Sequence, residues 1–150
     1  MTVARRMSAT PPVVSPDSDC LSALSIMRDA GVSALPVLEG EHLVGVVHDR
    51  DILLRVPLSR RDDASIASSF ALLAIVRVAG VMNYQPLTVD DTTLVPEALR
   101  LMVASELTAL PVLRAGRLVG VLTATNAVRA ALEILRQQRL ERAAEEDEEE

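Results

Sequence analysis

An α+β fold of two β-α-β-β-α units, packed with pseudo-twofold symmetry, is what these 150 residues predict, and three observations support it. Residues 3–54 match residues 78–129 at 17 of 52 positions without a gap, at an offset of 75. Each copy contains two short runs of leucine and β-branched residues: "ALPVL" and "LVGVV" from Ala34 and Leu43, then "ALPVL" and "LVGVL" from Ala109 and Leu118. A helix-periodic stretch precedes each pair of runs and another follows it. Two copies are too few for an open solenoid, so they are expected to pack face to face. The cleft between them is then the default place for a ligand.

The elements follow in chain order. "PPVV" from Pro11 is a short extended approach to "SDCLSALSIMRDAG", where Cys20, Ala23, Leu24 and Met27 share a helical face between an expected cap at Ser18 and a stop at Gly31. "ALPVL" and "LVGVV", joined by the polar turn "EGEH", read as a hairpin. A helix from near Asp49 stops at Pro57. In the second copy "QPLTV" leads into "TTLVPEALRLMVAS", with Leu94, Ala98, Leu101 and Met102 at helical spacing after a cap at Thr92 or Thr93. Pro96 falls in the tolerated first turn. A second hairpin turns at "RAGR", and the last helix starts near Ala124 and runs past Leu140, fraying where the like charges of Glu145 to Glu150 repel. The expected boundaries are 2–57 for the first repeat, 58–76 for a linker, 77–140 for the second repeat and 141–150 for an acidic tail.

Composition narrows the function. With 49% hydrophobic residues but one Phe, one Tyr and no Trp, the core must be aliphatic, and no aromatic surface exists on which nucleic-acid bases could stack. All fifteen basic residues are Arg and the net charge is −6, yet six of the 21 acids lie in the terminal "EEDEEE", so the body is neutral and has no dominant basic patch. Neither nucleic acid nor membrane is an expected partner. A single cysteine, Cys20, excludes an intrachain disulfide, and no apolar stretch of signal-peptide length follows "MTVARRM". "IASSFALLAIV" from Ile66 is too short for a bilayer, which needs about 20 residues. The expected compartment is the cytoplasm. His42, His48 and Cys20 have no metal-ligand spacing, and no catalytic constellation emerges, so neither an enzyme nor a metal site is expected. Cys20 reads as packing and His42 as a turn residue.

The order Met-x-x-x-Pro, helix, "ALPVL", "LVG" and a polar exit, given twice from Met7 and Met82, resembles the CBS-domain pair known as the Bateman module, over about residues 2 to 136. The resemblance implies tandem CBS repeats, often as a homodimer, that regulate by binding adenine nucleotides or related adenosyl ligands between the repeats without catalysing a reaction. AMP, ADP, ATP and S-adenosylmethionine are the implied regulatory ligands, and no cofactor is required. The binding pattern of that family, Gly-h-x-Ser/Thr-x-x-Asp, runs from the last strand into the following helix. There a helix start and a hydroxyl favour a phosphate, and a carboxylate accepts both ribose hydroxyls.

Each copy keeps half of that pattern. The first exit, Gly45 to Asp51, has the acid as Asp51 but His48 at the hydroxyl position; the second, Gly120 to Asn126, has the hydroxyl as Thr123 but Asn126 in place of the acid. A charged acceptor makes stronger hydrogen bonds than an amide, so Asp51 marks the stronger expected ribose site. The resemblance places Thr10, Val13, Ala34 and Pro36 of the first copy, and Gln85, Thr88, Ala109 and Pro111 of the second, against an adenine, to within a residue or so. Arg50, and after it Arg5 and Arg6, are candidates for neutralising phosphates. Beside each stands a plainer reading: Asp51 as an acid favouring a helix dipole, Thr123 and Asn126 as turn and cap chemistry, His48 as an exposed strand end. The leading function is a stand-alone ligand-sensing module. The alternative is a dimerisation or interaction scaffold with a degenerate site. As a homodimer, it would make contacts through the helices around 20–30 and 94–104 and the apolar linker.

Overall fold

The carboxylate of Asp19 accepts the Ser22 N–H at 2.8 Å and starts helix α1 (Cys20–Ala30), so the cap is Asp19 rather than Ser18. The ionised side chain is the stronger acceptor for an orphan N–H, and that bond holds its carboxyl below the usual range. Gly31, at φ 66, ends the helix. The computed structural model describes residues 1–56 and 63–148. Strands β1 (Ser8–Ala9), β2 (Ala34–Glu39) and β3 (His42–His48) precede helix α2 (Asp49–Arg55), and β2 and β3 form the expected hairpin. Of the expected linker, residues 58–62 lie outside the described residues, and Asp63–Ile75 form helix α3, whose Leu73 is buried against α1. The second half runs β4 (Val89–Asp90), α4 (Val95–Ala104), β5 (Ala109–Arg114), β6 (Arg117–Thr123) and α5 (Ala124–Glu148).

Two expectations fail at helix ends. Helix α4 begins after Leu94, which has no side-chain cap, and Pro96 in its first turn reduces the number of N–H groups that need one. Helix α5 reaches Glu148 rather than fraying at Glu145; alanine and glutamate are strong helix formers, and Arg142 lies one turn before Glu145 and Glu146. Residues 149 and 150 of the tail lie outside the described residues. No helix among the described residues is long and apolar enough to cross a membrane.

The halves exchange their leading segments. Residues 1–9 begin the first repeat, yet β1 pairs with β6, Ser8 opposite Val121 and Ala9 opposite Gly120. The Val3 N–H donates to the Thr93 carbonyl at 2.8 Å, and the fully buried Val3 joins Val95, Leu110 and Leu122 in the second core. Seventy-five residues on, the same happens in reverse: the Val78 N–H donates to the Ser18 carbonyl at 2.8 Å, Asn83 bridges Val46, and Val78 and Met82 join Leu35, Val37 and Ile52 in the first core. Each crossing passes over a glycine. A Cβ on Gly45 would stand 2.7 Å from the Asn83 carbonyl oxygen, and one on Gly120 would stand 2.8 Å from that of Ser8. The repeated "LVG" is therefore a strand with a flat place where the other half's segment lies down.

Candidate functional site

Helix α5 starts where β6 ends. There the Thr123 hydroxyl accepts the Asn126 N–H at 3.2 Å, an N-terminal cap read directly from the Thr-x-x-Asn spacing. The Asn126 side-chain amide donates in turn to the Ser8 hydroxyl at 3.1 Å, because the pairing of β1 with β6 puts Ser8 beside this exit. Facing them across the interface are Ala34 and Pro36 of β2, with Gly31, Val32 and Ser33 leading into that strand. Together with Pro11, Pro12, Thr108 and Ala109, these residues enclose a cleft of about 400 Å³ between the halves. Its walls are mostly aliphatic, with the polar groups of Ser8, Ser33, Thr108, Thr123, Thr125 and Asn126 set among them, which suits a flat apolar ring that carries polar groups.

The cleft joins five of the residues singled out from the sequence: Ala34, Pro36, Ala109, Thr123 and Asn126. It is crosswise, since residues of the first copy face the exit of the second. Pro111 lines a 10 Å³ gap beside it with Val46 and Val121, at the contact of the two hairpins. Thr88 lies instead in a separate groove with Asp90, Glu97 and Arg100. Thr10, Val13, Gln85, His48, Arg50 and Asp51 line none of these three cavities. Arg6 is held by Glu133 of α5, and Arg5 and Arg50 are exposed.

His48 is buried, at 9% exposure, and not the exposed strand end that its position suggested. The last residue of β3 is packed beneath the start of α2, with Nδ1 3.5 Å from an Asp51 carboxylate oxygen. Burial pushes its imidazole below the ordinary 6.5, and Asp51 pulls it partly back. The neutral form is thus the one the fold prefers, so the unfolded chain binds the extra proton first. Stability should be complete above about pH 6.5 and fall as the pH drops through the folded-state value. Melting curves at pH 7.5 and 5.5 should differ more for the native chain than for His48→Gln; equal shifts would remove His48 as the cause. Cys20 is fully buried, and burial pushes its thiol up, which leaves an unreactive packing residue. Among the described residues, no three His, Cys, Asp or Glu side chains stand where they could hold a metal.

Ser8, Pro11, Pro12 and the Gly31–Ser33 approach were not singled out from the sequence. Pro11 and Pro12 lie between Thr10 and Val13, a shift of one or two positions. Ser8 could be found only by knowing that the leading segments cross.

The fold defines a tandem repeat with a cleft shared by both halves, and the chain belongs to the CBS-domain family: the CBS domain model matches residues 3–57 and 78–140. Among its relatives, the CBS domain-containing protein CBSX2, chloroplastic, of Arabidopsis thaliana is 34% identical over 143 residues, 83% of this chain and 60% of CBSX2. This chain therefore spans about 60% of that relative's length. The crystal structure of CBSX2 superposes with a TM-score of 0.77 over 90% of this chain and 96% of that one. The crystal structure of CBSX2 in complex with AMP gives 0.74 at 34% identity, over 89% and 97%. The CBS domain-containing protein YhcV of Bacillus subtilis is 28% identical over 120 residues, 80% of this chain and 78% of YhcV.

Proposed function

We propose that the chain is a non-catalytic regulatory module that binds an adenine nucleotide or related adenosyl ligand in the cleft at its second exit. The observation that supports this best is the cleft itself, in which Ala34, Pro36 and Ala109 meet Thr123 and Asn126, in a chain similar to CBSX2, a protein that has been crystallised with AMP. An adenine ring fits between the aliphatic walls, and strand backbone offers hydrogen bonds to its edge. The Asn126 carbonyl oxygen, with its amide nitrogen engaged by Ser8, accepts a ribose hydroxyl. The Thr123 hydroxyl already accepts from the Asn126 N–H and keeps its own proton to donate.

A ligand in this place touches both halves, so it favours whichever relative arrangement it fits better, and its regulatory effect is limited to that difference in affinity. A second copy of the chain is the partner we propose. Leu94 before α4, Val103 of α4 and Ile66, Phe70 and Ile75 of α3 are exposed on the segments expected to form that contact.

Calorimetric titration of AMP tests the reading. Asn126→Ala should weaken binding about tenfold, the worth of one good hydrogen bond, whereas Asp51→Ala at the other exit should change it less than about twofold. The reverse order would move the site to Asp51. If AMP, ADP, ATP and S-adenosylmethionine all fail to bind at millimolar concentration, the chain is a scaffold.

A further inference from the structure

The two exits divide charge between them. At the 75-residue offset, His48, Asp49, Arg50 and Asp51 of the first correspond to Thr123, Ala124, Thr125 and Asn126 of the second, so every ionisable side chain of one exit is neutral in the other. The cleft is built on the neutral one. Among the described residues, its lining holds no Arg, Lys, His, Asp or Glu. Gly31 at its edge corresponds to Glu106 in the other copy. Arg6, two residues before Ser8, is already paired with Glu133, and Arg5 and Arg129 are exposed to solvent, outside the lining. The acidic tail supplies no compensating field, because Glu145 lies roughly 28 Å along α5 from Asn126, several Debye lengths at physiological salt.

We propose that this cleft selects an adenosyl ligand bearing at most one phosphate, and that Thr125 sets the selectivity by withholding the cation that Arg50 supplies in the first copy. The inference rests on the reading of the cleft as an adenosyl site. Each phosphate beyond the first adds negative charge that must give up part of its hydration at the cleft with no cation in the lining to replace it. A 5′-monophosphate, by contrast, can remain at the solvent edge while the Thr123 hydroxyl donates to it. Asn126 suits such a ligand, since its amide oxygen accepts a ribose hydroxyl without placing a carboxylate near the phosphate.

Adenosine, AMP, ADP and ATP titrated calorimetrically in the absence of divalent cations decide this, against the native chain, Thr125→Arg and Asn126→Asp. Thr125 is exposed, so arginine there can be accommodated, and melting curves check that each variant folds. The native chain should bind adenosine and AMP within about fivefold of each other and ATP at least about tenfold more weakly than AMP. Thr125→Arg should raise ATP affinity about tenfold or more with a smaller gain for AMP, and Asn126→Asp should strengthen adenosine more than AMP. Native binding of AMP with equal or tighter ATP overturns the selectivity and leaves the adenosyl reading standing. Failure of all four ligands, and of S-adenosylmethionine beside them, at millimolar concentration overturns both. An ATP affinity unmoved by Thr125→Arg removes Thr125 from the role assigned to it.

Discussion

Deletion of residues 1–7 should loosen the second half of the chain more than the first, although those residues open the first repeat. Val3 is fully buried among Val95, Leu110 and Leu122, and the Val3 and Ala4 N–H groups donate to the Thr93 and Asp91 carbonyls at 2.8 and 3.0 Å. Burial of a valine stabilises by about 1.5–3 kcal/mol, and the two backbone bonds add about 1 kcal/mol each. Part of Met7 packs on the same core. The expected loss is therefore about 4 kcal/mol, a fall in melting temperature on the order of 10 °C for a chain of this length. Amide exchange locates the damage: protection should drop first in Ala109–Arg114 and Arg117–Thr123, with Ala34–Glu39 and His42–His48 holding longer. Equal loss in both hairpins would mean that the crossing segment is not what completes the second core.

Gly45→Ala and Gly120→Ala should each destabilise the fold by about 1–3 kcal/mol, the usual penalty of an extra methyl in a filled space. The neighbours met are partly backbone, 2.7 Å from the Asn83 oxygen and 2.8 Å from the Ser8 oxygen, so the strain cannot be relieved by turning a side chain alone. The two variants should then part company. Gly120→Ala pushes on the strand that delivers Ser8 to Asn126, and AMP binding should weaken about tenfold, whereas Gly45→Ala displaces Asn83 at the other exit and should leave AMP affinity within about twofold. Melting curves give the first effect and calorimetry the second. Equal loss of affinity in both would separate Ser8 placement from binding.

Much of this architecture was legible because it rests on local signals. The 3.6 periodicity around Met27 and the short continuous apolar runs around Leu35 and Val46 fix helix, strand and strand, Gly31 stops α1, and the repeated "LVG" marks the second strand of each hairpin. The family membership followed from the same residues appearing twice in register. What was not legible depends on long-range pairing. Nothing in the pattern around Val3 or Ser8 says that they belong to the core of the other half, because their polarity suits either sheet equally well. The same gap directed attention to Asp51, whose charge makes it the better acceptor in isolation, while the cleft joins Ala34 of the first half to the uncharged exit of the second. His48 shows the converse: its place at a strand end suggested solvent, and the packing of α2 over the end of β3 puts it inside.

The crossing of the leading segments has a consequence for how such a chain can be divided. A fragment ending near residue 57 would carry Val3 and Met7 with no matching sheet of its own to receive them, and its own sheet would lack Val78 and Met82. The one complementary surface within reach would be a second copy of the same fragment, offering its own leading segment in exchange. The two halves are thus topologically an exchanged dimer whose partners are tethered in sequence, and neither half is an autonomous folding unit. Cutting the chain between α2 and α3 would yield pieces that each hold part of the other's interior, so they should reassemble on mixing, while either piece alone should be driven to self-association.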